Sequence, residues 1–487
     1  MNLATIIEGH DPDRPALVSR GRVTTYGTLR DQVARIRGAL AAHGVEPGDR
    51  VAIVAGNNWY FVAAYFGVLG AGAVAVPVNP QSPAPEVERE LRQVGARLVL
   101  AGPHGRAVVE TLDATALPGF DGSADIAGLL GADPAPLVDR SPDDLAVLLF
   151  TSGTAGAPRP AMLTHGNLRS NIDQVLANPL RPEGADEVAL CVLPLSHVFG
   201  LNAVLGVTLA VGGTVVLVER FDPHSTLAAV AEHGVTILTG VPAMWSAWVG
   251  LPDAPRDALA GVRMAVSGAA PLDPAVRRAV RERFGVDLTE GYGLTEASPA
   301  VTSGLGHDAP DGSIGVPLPG VNVRLVDGSG EDALVGDPGE IWVKGPNVFP
   351  GYWQDDEATR AVLTDDGWLR TGDVAVVDDD GYLSLVDRVK DVVIVSGFNV
   401  YPAEVEDVLR LHPAVEAAAV VGVPHPHSGE AVKAFVVVAE GSHVDEDELA
   451  DHVCRHLARY KCPSAFAFVD ELPVGETGKV LRRELRP

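Results

Sequence analysis

Five short segments carry side chains whose types and spacing could do chemistry on phosphate and ribose groups. The first, Thr151-Ser152-Gly153-Thr154-Ala155-Gly156-Ala157-Pro158-Arg159, follows the apolar run 145–150 and precedes a helix expected to open near Thr164. Hydroxyls and glycine N–H groups in such a strand-to-helix loop form a concave donor surface for phosphate oxygens. No Lys-Ser/Thr pair follows at Walker A spacing, and alone the segment would serve equally as a turn. The second, Gly291-Tyr292-Gly293-Leu294-Thr295-Glu296, puts an aromatic face, a hydroxyl and a carboxylate together, enough to stack a purine, touch a phosphate and hold Mg²⁺. Thr371-Gly372-Asp373 and Asp387-Arg388-Val389-Lys390 add a carboxylate that can accept two ribose hydroxyls and a guanidinium that can donate to ribose or phosphate. The fifth, Pro473-Val474-Gly475-Glu476-Thr477-Gly478-Lys479, sets a lysine at the tip of a glycine-rich loop.

Positioning these groups falls to an alternation of apolar strand-like runs (51–54, 74–78, 97–101, 145–150, 215–218, 236–239) with amphipathic helical stretches, the pattern of parallel α/β layers. Residues 113–144, acidic and rich in Gly, Ala and Pro, read as a surface connection with one short helix. From 312 to 385 the texture changes to short strands with turn signals, a β-rich subdomain. After Asp387 an α+β pattern of about 100 residues restarts, large enough to be a domain. The expected fold is therefore α/β: a large N-terminal domain of layered α/β subdomains plus a β-rich subdomain, then a small α+β C-terminal domain.

Several function classes are excluded by composition. The chain has 487 residues and a formal charge of −27, which opposes nucleic acid and anionic membrane surfaces as partners. Cys191, Cys454 and Cys462 form no C-x-x-C, which reads as a reducing compartment with neither zinc nor a disulfide framework. No apolar signal segment is visible in residues 1–15, so the expected location is the cytoplasm. The uncharged stretches 61–78 and 201–218 are interrupted by Gly70 and Gly72 and by Gly212 and Gly213. Each is read as helix, glycine stop and buried strand, with no integral membrane association. All five lysines lie at position 344 or beyond, so lysine chemistry must come from the C-terminal third.

Taken in order, TSGTAGAPRPAMLTHGNL, LPLSHVFGL, GYGLTEASP, GYW, DGWLRTGDVAVVDDDGYL, DRVKDVVIVSGFNVYPAEVE and ELPVGETGKVLRREL resemble the core motifs of the adenylate-forming superfamily. That superfamily contains acyl- and aryl-CoA synthetases, adenylation domains and luciferase, and the resemblance runs over essentially the whole chain. It implies an N-terminal domain at 1–386, a mobile C-terminal domain at 387–487, and an active site between them using ATP, Mg²⁺ and coenzyme A. It places Thr151, Ser152, Gly153, Thr154, Gly156 and Arg159 at the β- and γ-phosphates, Tyr292 at adenine, Thr295 at the α-phosphate, Glu296 at Mg²⁺, and Asp373 and Arg388 at ribose. Lys479 would bridge the carboxylate and α-phosphate, Lys390 would be the hinge, and Gly397 would line the pantetheine tunnel. His197, with Gly268, Ala269 and Ala270 of the SGAAPL string, would lie at the acyl site.

Against the family loop S-G-T-T-G-x-P-K-G, Ala155 lacks a hydroxyl, Arg159 replaces lysine and Pro160 replaces glycine, which bears on phosphate contacts. Asp222 in Phe221-Asp222-Pro223-His224-Ser225 stands at the wrong place for an amine-binding aspartate and is expected to be a cap. His425 and His427 are expected to be loop residues, and Trp245 and Trp248 core. The segments 197–201, 241–244, 267–270 and 291–293, which would line the acyl pocket, contain no Asp, Glu, Lys or Arg. That favours an apolar monocarboxylic acid as the small-molecule partner, most like a fatty acid, passed to CoA. Two alternatives stand beside this: an acyl-AMP ligase loading an acyl carrier protein, and a non-catalytic nucleotide- or acyl-binding protein.

Overall fold

The computed structural model describes residues 1–113, 117, 119–152, 158–179, 181, 184, 186–270, 272–306, 309–388, 393–400, 402–473, 482 and 485; at 152, 386–388, 399 and 403 it describes the backbone alone. Gly153, Thr154, Gly156, Lys390 and Lys479 lie outside the described residues.

Three sheets organise the described chain. One has six strands in the order Gly122–Asp125, Leu98–Ala101, Arg50–Val54, Val74–Val78, Leu145–Ser152, Pro158–Thr164. Its central strand Val74–Val78 is buried at every residue, as a parallel strand covered by helices on both faces must be. A second sheet runs through thirteen strands and changes character partway. The strand Leu288–Gly293 pairs in parallel with Met264–Ser267 through Leu288, Thr289 and Glu290, then antiparallel with Ala300–Ser303 through Gly291, Tyr292 and Gly293. Beyond it lies the β-rich part, including Gly339–Lys344, Leu369–Val377 and Leu383–Arg388. The third sheet, with strands Val393–Val395, Phe398–Val400, Val415–His425, Gly429–Val438 and Ala465–Phe468, packs on helices Pro402–Arg410 and Glu446–His456 around its own core.

Both uncharged stretches resolve as expected. Helix Trp59–Gly70 leads through Gly72 (φ +76°) into Val74–Val78, and the π-helix Phe199–Gly206 continues as Val207–Ala210, then through Gly212 (φ +75°) into Thr214–Leu217. Among the described residues no helix is long and apolar enough to cross a membrane. Trp245 and Trp248 are buried edge to face at 5.3 Å. Asp222 caps helix Pro223–Glu232 by accepting the Ser225 N–H at 2.8 Å. His425 ends a strand and His427 sits in the following turn; among the described residues no three metal-ligating side chains cluster.

Three expectations are corrected. The helix expected near Thr164 is present as His165–Leu176, capped by Thr164, but an unforeseen strand, Pro158–Thr164, antiparallel to Leu145–Ser152, stands before it. Prolines at 158 and 160 argue against a strand, but this one is at the sheet edge, where proline is tolerated. Met162, of the same parity, sends its N–H outward to the Gly351 carbonyl, so the N–H groups missing at 158 and 160 also belong to the outer side. Second, 113–144 contains the edge strand Gly122–Asp125, held by backbone pairing to Leu98–Ala101 with an exposed, weakly apolar face that carries no strand signal. Third, Cys454 and Cys462 are joined as a disulfide across the turn following helix Glu446–His456, with Cα atoms 5.6 Å apart; spacing alone concealed that Arg459–Lys461 folds back onto the helix. Cys191 is free and buried.

Candidate active site

Two adjoining cavities meet at His197 and Phe398. The smaller is lined by Leu193, Pro194, His197, Phe199, Val241 and Ala269 of the large unit and by Ser396, Gly397 and Phe398 of the C-terminal sheet. The larger includes Asn79, Ser82, Thr151, Ser196, His197, Thr295 and Phe398.

The wall of the smaller cavity follows from local backbone. Strand Met264–Ser267 ends in Gly268, where a Cβ would stand 2.9 Å from the Phe199 ring, so only glycine lets that ring close on the backbone. Ala269 follows at φ +67°, a left-handed conformation unusual for alanine, and it lines the cavity, whereas its neighbours Gly268 and Ala270 are not in the lining. Gly397 also requires glycine: it lies at φ +84°, and a Cβ would come within 2.5 Å of Val241 Cγ1. Burial pushes the His197 imidazolium down to about 4, so the ring is neutral near pH 7. Its Nδ1 accepts the Phe199 N–H at 3.2 Å, which leaves the ring proton on Nε2 as a donor.

On the nucleotide side the sheet brings distant residues together. Tyr292 OH donates to Asp373 Oδ2 at 2.7 Å, and Asp373 stands opposite Arg388 in the antiparallel register of Leu369–Val377 and Leu383–Arg388. Glu296, in the short turn Thr295–Ala297, accepts the Tyr352 hydroxyl at 2.7 Å. Thr151 Oγ1 is buried without a hydrogen-bond partner, an unsatisfied hydroxyl in the cavity that Thr295 also lines. The Glu296 carboxylate with the hydroxyls of Thr151 and Thr295 forms an oxygen donor set of the kind that fits Mg²⁺ held together with phosphate oxygens.

Arg159 donates through Nε to Asp355 Oδ2 at 3.1 Å, and its guanidinium lies 5.8 Å from the Tyr352 ring centre. Sequence reasoning missed Tyr352 as the group that orients Glu296, although its place in GYW, beside a recognised motif, was a signal. It also missed the charged cluster at the far end of the larger cavity, where Lys461, one of only five lysines, stood out by scarcity alone.

The AMP-binding enzyme family model matches residues 7–353, and the AMP-binding enzyme C-terminal domain matches 404–479. A feruloyl-CoA synthase from Amycolatopsis sp is 42% identical over 98% of this chain and 96% of its own length; a long-chain-fatty-acid–CoA ligase from Yersinia pestis is 37% identical over 97% and 91%. Among solved structures, a double mutant of o-succinylbenzoate CoA synthetase from Bacillus subtilis, bound with the product analogue OSB-NCoA, superposes with TM-score 0.90 at 29% identity over 99% of this chain and 98% of that one. ATP-bound MatB from Rhodopseudomonas palustris superposes with TM-score 0.75 at 33% identity, covering 100% and 98%. The chain belongs to the adenylate-forming, AMP-binding enzyme family. Within it, it is an AMP-forming acid–thiol ligase that uses ATP, Mg²⁺ and coenzyme A.

Proposed function

We propose that this enzyme activates an apolar aryl monocarboxylic acid of the arylpropenoate type as its acyl-adenylate and transfers the acyl group to CoA. The observation that carries the reading is the lining of the smaller cavity, walled by Leu193, Phe199, Val241 and Ala269 and without a charged side chain. An uncharged wall suits an apolar acid, and the feruloyl-CoA synthase at 42% identity favours an aryl one. This replaces the fatty acid favoured by motif resemblance alone, which the long-chain ligase at 37% identity still supports.

In the first step the substrate carboxylate oxygen attacks the α-phosphorus of ATP and pyrophosphate leaves. In the second the CoA sulfur, having given up its proton, attacks the acyl carbonyl and AMP leaves. Tyr292, Asp373 and Arg388 hold adenosine, while Thr151, Ser152 and the 153–156 loop, with Thr295, take the phosphates. Glu296 would hold Mg²⁺, which neutralises phosphate charge when bound. His197 Nε2–H donates to a carboxylate oxygen, and Lys479 offsets charge that builds at the α-phosphate. We assign the domain boundary to residues 386–387 and the hinge to Lys390. The seating of the Gly397 loop on the acyl cavity, with a TM-score of 0.90 to the synthetase bound with a CoA-product analogue, supports reading the described arrangement as the thioester-forming one.

The test is a panel of ferulate, cinnamate and C6 to C16 fatty acids with Mg·ATP and either CoA or a holo carrier protein, following AMP and thioester by mass. Ferulate should exceed palmitate at least tenfold in kcat/KM, with CoA as acceptor. The reverse preference overturns the aryl reading, and thioester on the carrier alone overturns the acceptor.

A further inference from the structure

The large unit and the C-terminal sheet are joined by a buried set of crossing ion pairs that no motif accounts for. Lys461 Nζ, in the turn Arg459–Lys461, donates to Glu86 Oε1 at 2.5 Å and to Glu404 Oε1 at 3.1 Å. Glu86 belongs to helix Ala84–Val94 of the large unit, whereas Glu404 lies on helix Pro402–Arg410. The other oxygen of Glu86 accepts the Ala458 N–H at 2.7 Å, so this one carboxylate grips the C-terminal unit twice. Arg89, one turn along the same helix, reaches across in the opposite sense and donates to Glu404 Oε1 at 3.1 Å. Glu86, Glu404 and Lys461 are each at most 5% exposed.

A short chain of contacts leads from this cluster to the reacting centre. Tyr460, adjacent to Lys461, stacks on Phe398 with ring centres 4.3 Å apart. Phe398 follows Gly397, whose Cα is seated so closely on Val241 that no Cβ fits. Seating of the Gly397 loop on the acyl cavity is thus tied, through two aromatic rings, to whether Lys461 is engaged with Glu86.

We propose that Lys461, clamped by Glu86 across the unit boundary, is a positioning residue that docks the Gly397 loop for thioester formation and plays no part in adenylation. The proposal rests on the two-step reading above. A buried lysine and carboxylate are stable only together, so the contact is made or broken as a whole. Glu86 sits on a helix fixed in the large unit, which makes it a preorganised receptor. When the C-terminal unit turns to present Lys479 instead, both groups separate and return to water. The pair therefore biases one arrangement and leaves the other unaided.

The experiment compares two half-reactions in the full-length enzyme: acid-dependent ATP–pyrophosphate exchange, and single-turnover thioester formation from supplied acyl-adenylate and CoA. Glu86→Gln and Lys461→Met should each slow the second at least tenfold and leave the first within twofold. Lys461→Arg should be close to wild type in both, and the exchange Glu86→Lys with Lys461→Glu should recover part of the lost thioester rate. Intact exchange shows that the variants fold. Equal loss in both half-reactions, or no loss in the second, overturns the proposal. If the wild-type enzyme exchanges pyrophosphate yet gives no thioester with CoA, it is the acceptor reading that falls.

Discussion

Glu296 is held by a hydroxyl from outside its own motif. Tyr352 donates to it at 2.7 Å, and Tyr352 is itself covered by the Arg159 guanidinium that Asp355 anchors. Under the Mg²⁺-holding role proposed for Glu296, a group that orients it is worth about 10- to 100-fold in metal affinity. Tyr352→Phe should therefore raise the Mg²⁺ concentration for half-maximal exchange about tenfold, with the KM for the acid unchanged; a matching rise in both would mean a general loss of fold. Lys479 makes the complementary case. Lys479→Ala should reduce pyrophosphate exchange on the order of 10², about 3 kcal/mol, while supplied acyl-adenylate still yields thioester. Equal losses would make that lysine structural. Part of the arrangement was legible because the motifs singled out both Tyr292 and Asp373, which folding joins in one hydrogen bond. What a motif could not disclose was the partner of Arg159: its lysine-like position in the loop suggested a phosphate, and Asp355 is brought beside it only by folding.

Elements were legible to the degree that hydrophobic pattern decides them. The strand 74–78 and the helix before it were visible because an apolar run bounded by glycines has few other solutions. Pro158–Thr164 was not, because its prolines are harmless only on an edge that sequence cannot locate. Gly397 shows an element-level constraint that can be tested directly. At φ +84° alanine costs roughly 1 to 3 kcal/mol in backbone strain, and Val241 leaves its methyl no room. Gly397→Ala should slow thioester formation far more than exchange, and adding Val241→Ala should restore part of the rate by removing the clash but not the strain. Failure of Val241→Ala to help at all would show that the close approach is immaterial.

At the scale of the whole molecule, two units share a boundary crowded with carboxylates that sequence could not foresee, since Glu86 and Lys461 are 375 positions apart. Glu90 lies in that boundary, and burial, then the neighbouring Glu86 charge, pushes its carboxyl up to about 8 against the opposing pull of Lys461. Between about pH 5 and 8 the folded chain thus keeps a proton that the unfolded chain has released, so this group makes stability fall as pH rises through that window. Glu90→Gln should match wild type near pH 5 and exceed it in urea midpoint at pH 8; a constant difference at both values would show that Glu90 does not titrate there. The hinge proposed at Lys390 gives a kinetic counterpart: Lys390→Pro should leave exchange near normal and slow thioester formation by orders of magnitude, while parallel slowing of both steps would argue against rotation at that residue. The strand Leu383–Arg388, which precedes this hinge, is knitted to Leu369–Val377 up to Arg388 itself, directly opposite Asp373. A strand tied into a sheet cannot turn about its own axis, so with the hinge proposed at Lys390 it would act as a stator and stop torque from a swinging unit at Arg388. The adenosine grip proposed for Asp373 and Arg388 would then stay on the stationary side, and the reactive mixed anhydride would not have to be let go while the machinery around it is exchanged.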